Sequence, residues 1–291
     1  MTPARAYGLL LLVTLLWAGN FPLGKLALLE LGPITLTAAR AALAAPALVL
    51  IARLAHGPFP AFTRRDRWTF VVISLTGLVG NTTVWYWGLS HTSPVNAGIL
   101  GAAAPVIVAL AGAVWLGDPL APRHVLGIAL TMGAVLLTIS RGSPEALQTL
   151  AFNRGDLIIL ASQVAWVCYT LFSRASRSQL PSLTVQAGAH VVSLVVLAPL
   201  ALLERPWQSL AAASWVGWGV IVYAAGPIAL GHIWYYQAIR VVGAGRAAVF
   251  MNLVPFVVIA LSWLILGEPV RWYHVVAATV VIGGVALATA R

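Results

Sequence analysis

Long apolar runs separated by short polar or proline- and glycine-containing stretches set the pattern of this chain. A membrane-crossing helix needs roughly 20 mostly apolar residues. Such runs fall at about 6–27, 33–54, 68–89, 94–116 and 122–140. A polar stretch from Arg141 to Asp156, with Pro144 and Asn153, interrupts them. Further runs follow at about 155–174, 182–203, 213–237, 243–266 and 271–290. The pattern predicts an all-α integral membrane protein of ten transmembrane helices. The first run, from Tyr7 to Lys25, is read as a span and not as a signal peptide, because no convincing small-residue cleavage site follows it and more spans do.

Composition points the same way. Of 291 residues, 60% are hydrophobic and 8% charged, and the mean hydropathy is +0.93. Too few polar residues are present to cover a water-exposed surface, so apolar surface is expected to face the lipid bilayer. The net charge of +10 is almost wholly arginine, with Lys25 the only lysine. The arginines are scattered between apolar runs and form no basic arm, which argues against nucleic acid as a partner. Arg5, Arg53, Arg64, Arg65, Arg67, Arg123, Arg174, Arg177, Arg240 and Arg291 fall on one side of the expected membrane. Arg141, Arg154, Arg205 and Arg271 fall on the other, with Lys25 close by. The positive-inside rule then puts both termini in the cytoplasm, as in a multi-pass protein of a bacterial-type inner membrane. Cys168 is alone, so no disulfide framework is expected.

The most specific signal is self-similarity. Tyr86, Ala97, Pro105, Gly117-Asp118-Pro119, His124-Val125 and Gly133 recur as Tyr236, Ala247, Pro255, Gly267-Glu268-Pro269, His274-Val275 and Gly283. Every pair stands 150 positions apart without a gap. A weaker echo links Trp17 and Lys25 to Trp166 and Arg174, one residue closer. Residues 1–141 and 155–291 are thus two copies of five spans each, joined by 142–154. An odd number of spans per copy makes the second copy enter the membrane from the opposite side. Inverted repeats of this kind support alternating access, with the solute bound near the midplane where the repeats meet.

These residues carry a family resemblance. Trp17-Ala18-Gly19-Asn20-Phe21, the pattern from Ala97 through Pro105 to Leu116-Gly117-Asp118-Pro119, and its copy from Ala247 through Pro255 to Leu266-Gly267-Glu268-Pro269 resemble the EamA-type family of the drug/metabolite transporter superfamily. The resemblance covers nearly the whole chain. It implies ten helices around a central cavity and export of small metabolites, with amino-acid exporters, including those for aromatic amino acids, as the subgroup expected here. A drug or another metabolite is the alternative cargo.

Polar and ionisable residues inside a bilayer are expensive and face a cavity or a partner. Asn20, Arg40, Asn81, Gln163, His190, His232 and Asn252 are of this kind. The expected solute-binding set is Trp17, Asn20, Asn81, Trp85, Tyr86, Gln163, Trp166, His232, Tyr235 and Tyr236, because polar and aromatic residues recur at matching places in both copies. Helix-to-helix hydrogen bonding is the competing reading for Asn and Gln, and an interfacial belt is the competing reading for Trp and Tyr. Pro105 and Pro255 are expected to kink spans 4 and 9, as hinges or as static bends. All seven carboxylates fall in loops or near span ends, so none is placed at mid-membrane to bind a proton or sodium ion. No catalytic residues, metal ligands or cofactor motifs are read. An intramembrane lipid-modifying enzyme is the weaker alternative, lacking converging acids, bases or a metal site.

Overall fold

A computed structural model describes residues 2–116, 122–143, 145, 153–175, 178–242, 250 and 253–289. All regular structure among them is helical. The order is α1 Pro3–Ala27, α2 Pro33–His56, α3 Arg64–Ile73, a π-helical segment Ser74–Thr83, α4 Val84–His91, α5 Pro94–Gly101, α6 Ala104–Leu116 and α7 Pro122–Ile139. It continues with α8 Arg154–Ala175, α9 Ser182–Ala201 with a 3₁₀ turn Leu202–Glu204, α10 Pro206–Ala212, α11 Trp215–Ala225, α12 Pro227–Val242, α13 Val254–Leu266 and α14 Trp272–Thr289.

Six described helical segments are long and apolar enough to cross a membrane, or seven if the pair Pro206–Ala212 and Trp215–Gly231, bent by 112°, is one span. Local chemistry explains where they start and stop. Prolines open α2, α5, α7, α10 and α12 in the first turn, where a missing N–H costs nothing. Thr63 and Asp66 form a capping box at the start of α3. Gly57 and Gly267 close α2 and α13 with φ of 76° and 64°, a conformation that glycine adopts without strain.

Two expected spans are interrupted. The run over 94–116 is two helices separated at Ala102–Ala103. Pro105 has no N–H to offer the carbonyl of Gly101, the last residue of α5, so the break falls where the ladder loses a bond. The run over 213–237 changes helix at Gly226, ahead of Pro227. Pro255 stands in the first turn of α13.

The chain divides into two compact units. Unit one comprises Met1–Lys25, Gly88–Leu160 and Pro227–Arg291, and unit two comprises Leu26–Trp87 and Ala161–Gly226. Each draws helices from both halves of the sequence. In unit one, α14 packs along α7 and α13 along α5, around Val95, Ile99, Val106, Ala134, Ile259, Ala277, Ala278, Val281 and Val285. A Cβ at Gly142, just past the end of α7, would lie 2.7 Å from the ring of Trp272, the first residue of α14. A Cβ at Gly284, near the end of α14, would strike Thr131 and come within 2.7 Å of the carbonyl of Gly127, near the start of α7. The two helices are therefore antiparallel, and Gly284 lets their backbones meet closely.

Unit two is built on α2 and α9, with α3 and α11 alongside. Ala44, Leu48 and Ala52 pack with Ala187 in one layer, and Ala38 packs with Leu197 and Ala201 in another. At the start of α2 the N–H groups of Ile34 and Thr35 donate to Glu204, at 3.1 and 2.7 Å. That pairing ties the beginning of α2 to the end of α9, so these two also run antiparallel. The carboxylate satisfies two orphan donors and meets the positive end of the helix dipole.

Candidate functional site

Polar residues in unit two converge on three helices. The π-helical segment carries Asn81, whose side-chain amide donates to the carbonyl of Ser162 in α8 at 3.0 Å. Such segments are frequent at functional sites because an extra residue per turn re-aims side chains. Next to Ser162, buried Gln163 donates to the Ser162 hydroxyl at 3.2 Å. One turn on, Trp166 stacks on Tyr169, ring centroids 5.1 Å apart, and Gln186 of α9 donates to the Tyr169 hydroxyl at 3.1 Å. Gly77 of the π segment is required here, since a Cβ would come within 2.7 Å of the Tyr169 ring. Trp85 meets Tyr86 edge-on at 5.1 Å, and Tyr86 is fully buried.

Beside this group lies a small cavity lined by Thr37, Arg40, Ala41, Leu78, Thr82, His190, Ser193 and Leu197. At about 10 Å³ it has room for roughly one water molecule. Thr37 and Arg40 share a face of α2 one turn apart. His190 is almost wholly buried in α9, and its Nδ1 lies 2.8 Å from the carbonyl of Gln186. A carbonyl only accepts, so Nδ1 carries the proton. The three hydroxyls are each committed to backbone carbonyls: Thr37 to Pro33 at 2.8 Å, Thr82 to Gly77 at 3.1 Å and Ser193 to His190 at 2.8 Å.

Unit one holds a different polar centre, at the break between α4 and α5. The Lys25 ammonium donates to the carbonyls of Leu89, Ser90 and Thr92 at 2.7, 3.1 and 2.8 Å, closing the exposed end of α4. Asp156, fully buried in the first turn of α8, accepts from the Thr92 hydroxyl and from the Asn96 amide at 3.1 and 3.3 Å. Glu268 is hydrogen-bonded to the Ser93 hydroxyl and the Val95 N–H at the start of α5. Burial raises its carboxyl above the ordinary range, against the pull of Ser93, Val95 and the Lys25 charge. Gly155 allows the contact, because a Cβ would lie 2.5 Å from the backbone of His91.

The sequence-predicted residues distribute between the units. Asn81, Trp85, Tyr86, Gln163 and Trp166 belong to unit two, while Trp17 and Asn20 belong to unit one. Trp17 is half-buried, its indole N–H 3.4 Å from the carbonyl of Ile228. His232, Tyr235 and Tyr236 fall in α12, and their side chains lie outside the described set. So do Asn252, Asp118 and the Pro105 ring. The structure adds Lys25, Asp156 and Glu268, and it assembles Arg40 with His190. The signal for Arg40 was present in the sequence, as an arginine inside an apolar run, but its partners lie far away along the chain. Among the described residues no three His, Cys, Asp or Glu side chains are grouped to hold a metal.

Comparison with known proteins gives concordant results. The EamA-like transporter family matches residues 4–140 and again 153–290. The chain is 30% identical over 290 residues to "Uncharacterized transporter YyaM" of Bacillus subtilis (strain 168), covering 99% of this chain and 95% of that one. It is 27% identical over 297 residues to an "Uncharacterized transporter" of Archaeoglobus fulgidus, covering 99% and 98%. It is 26% identical over 296 residues to the "Probable terminal-alkyne amino-acid exporter" of Streptantibioticus cattleyicolor, covering 100% and 95%. A solved crystal structure superposes with a TM-score of 0.63 at 21% identity, over 99% of this chain and 98% of that one, which shows a shared fold alone. With both halves of the sequence matched and relatives named as transporters along its whole length, the chain belongs to the EamA-like transporter family and fits the drug/metabolite transporter superfamily.

Proposed function

We propose that this membrane transporter exports small metabolites, amino acids foremost, by alternating access between two inverted five-span repeats. The repeats are residues 1–141 and 155–291, joined by 142–154, and they give ten spans around a central cavity. Both termini are cytoplasmic, and the membrane is a bacterial-type inner membrane.

One observation carries the reading. Helices that correspond under the internal repeat, α7 with α14 and α2 with α9, lie side by side within a unit and run antiparallel. Antiparallel pairing of corresponding helices is what inversion of one copy relative to the other demands. Two copies of similar sequence that enter the membrane from opposite sides supply the near-degenerate states that alternating access needs. Amino acids are favoured as cargo because one full-length relative is named an amino-acid exporter. The cluster of Asn81, Gln163, Trp166 and Tyr169 offers amide and aromatic surface for an amphipathic solute. Trp17, Asn20, Trp85, Tyr86, His232, Tyr235 and Tyr236 complete the proposed lining.

Purified protein in liposomes should accelerate flux of at least one amino acid over protein-free vesicles. Trp166→Ala and Trp17→Ala should each lower that flux while inserting normally. Absence of flux for every amino acid, in either direction, would exclude amino acids as the cargo.

A further inference from the structure

We infer that Arg40 is the anchor for an anionic group on the transported solute, a carboxylate, held in the cavity between α2, the π-helical segment and α9. The inference rests on the transporter reading and deepens it by naming the solute's recognised chemistry.

Arg40 lies in the body of α2, a helix long and apolar enough to span the membrane. Its guanidinium is a fixed positive charge with five donors arranged to meet a carboxylate. A charge at such depth is costly unless it is paired or faces a cavity. Arg40 faces the cavity, and among its described lining residues there is no Asp or Glu. The other polar groups there do not take the place of a counter-ion. The hydroxyls of Thr37, Thr82 and Ser193 are spent on backbone carbonyls, and His190 spends its Nδ1 proton on Gln186. Among the described lining residues the guanidinium is therefore the group rich in donors, set among groups that have given theirs away. An anion entering this cavity is recognised by Arg40, and the rest of the described lining is Ala41, Leu78 and Leu197 together with three hydroxyls and an imidazole Nδ1 whose protons are already committed.

The carboxylates of unit two stand elsewhere, each on a duty of its own. Glu204 holds the start of α2, Glu30 is bonded to Ser214, and Asp66 is bonded to Thr63 and Ser178. Among the described residues no carboxylate is left to pair with Arg40, and in this proposal the counter-charge comes from the cargo. In this conformation the cavity admits about one water molecule, so a carboxylate enters as α2 and α9 shift during the transport cycle.

The test pairs two readouts. In the first, liposomes containing the wild type, Arg40→Gln or Arg40→Lys are assayed with each of the standard amino acids and its carboxamide. The wild type should prefer the acid. Arg40→Gln should lose roughly tenfold or more of its flux of the acid, the worth of a charge-assisted hydrogen bond, with a far smaller loss for the amide. Arg40→Lys should recover part of the preference. In the second, melting of the detergent-solubilised protein is followed with added amino acid or with its amide. The acid should stabilise the wild type and not Arg40→Gln. Acid and amide moving equally well in the wild type, or Arg40→Gln keeping the full preference, would overturn the inference. If no amino acid moves, yet the acid stabilises the wild type and not Arg40→Gln, the anion site stands and the transport of amino acids falls. If the acid neither moves nor stabilises, the site itself is refuted.

Discussion

The two units bury charge in opposite ways. At the α4–α5 break of unit one, every charge has a structural employer: Lys25 closes the carbonyl end of one helix, while Asp156 and Glu268 serve the start of the next. Cation and carboxylates stand in one cluster, matched to the two helix dipoles. In unit two, the carboxylates are likewise taken up at helix ends, but Arg40 faces a cavity lined by hydroxyls, a histidine and aliphatic side chains. The contrast separates charge that holds a fold from charge kept for something that comes and goes. Removing the first kind should destabilise the protein; removing the second should leave its stability intact.

The largest effect is expected at Lys25. Lys25→Met strands three carbonyls and leaves Glu268 without its neighbouring cation, and stability should fall by about 3 kcal/mol or more, read as a lower melting temperature in detergent. A melt unchanged from wild type would deny the break its structural role. Asp156→Ala should follow at about 2–3 kcal/mol, since Thr92 and Asn96 lose a buried acceptor. Asp156→Asn should recover part of that, and equal losses for Ala and Asn would point to packing in place of hydrogen bonding.

Gly284→Leu probes the same unit without touching charge. It should push α14 off Gly127 and Thr131 at a cost of about 1–3 kcal/mol, whereas the same change at Gly283, where a Cβ meets nothing within 4 Å, should be nearly silent. Similar melts for the two leucine variants would contradict the close approach.

Glu268 gives the smallest effect, through pH. Its carboxyl sits above the ordinary glutamate range, so the folded state holds the proton more tightly than the unfolded chain does. Its contribution is most favourable below the ordinary glutamate value and is lost as pH rises through the interval up to the raised one. Wild type should therefore lose a little stability over that rise, and Glu268→Gln should flatten that part of the profile. An opposite slope in the wild type that the variant abolishes would mean that Lys25 and the helix end outweigh burial.

Much of the architecture was readable from the sequence because apolar runs and a 150-residue repeat are local or periodic signals. The interruptions were harder. The break before Pro105 needs backbone accounting across one turn, and the π-helical stretch over Ser74–Thr83, which packs against α9, has no signature within its own segment. Sites were least legible. Arg40 and His190 lie 150 positions apart and share a cavity only because α2 and α9 pack together. Asp156 looked peripheral as the third residue of its helix, yet the neighbouring α4–α5 turn covers it completely. Asn81 and Gln163, singled out as polar residues inside apolar runs with counterparts at matching places in the two copies, meet around Ser162.

The most direct measurement sets the melting temperature of Arg40→Gln beside its preference for amino acid over amide. If Arg40 is held for the cargo, the melt stays within error of wild type or rises, because among the described residues its removal strands no carboxylate, while the preference for the acid disappears. A melt that drops like that of Lys25→Met, with the preference for the acid intact, would place Arg40 among the charges that hold the fold.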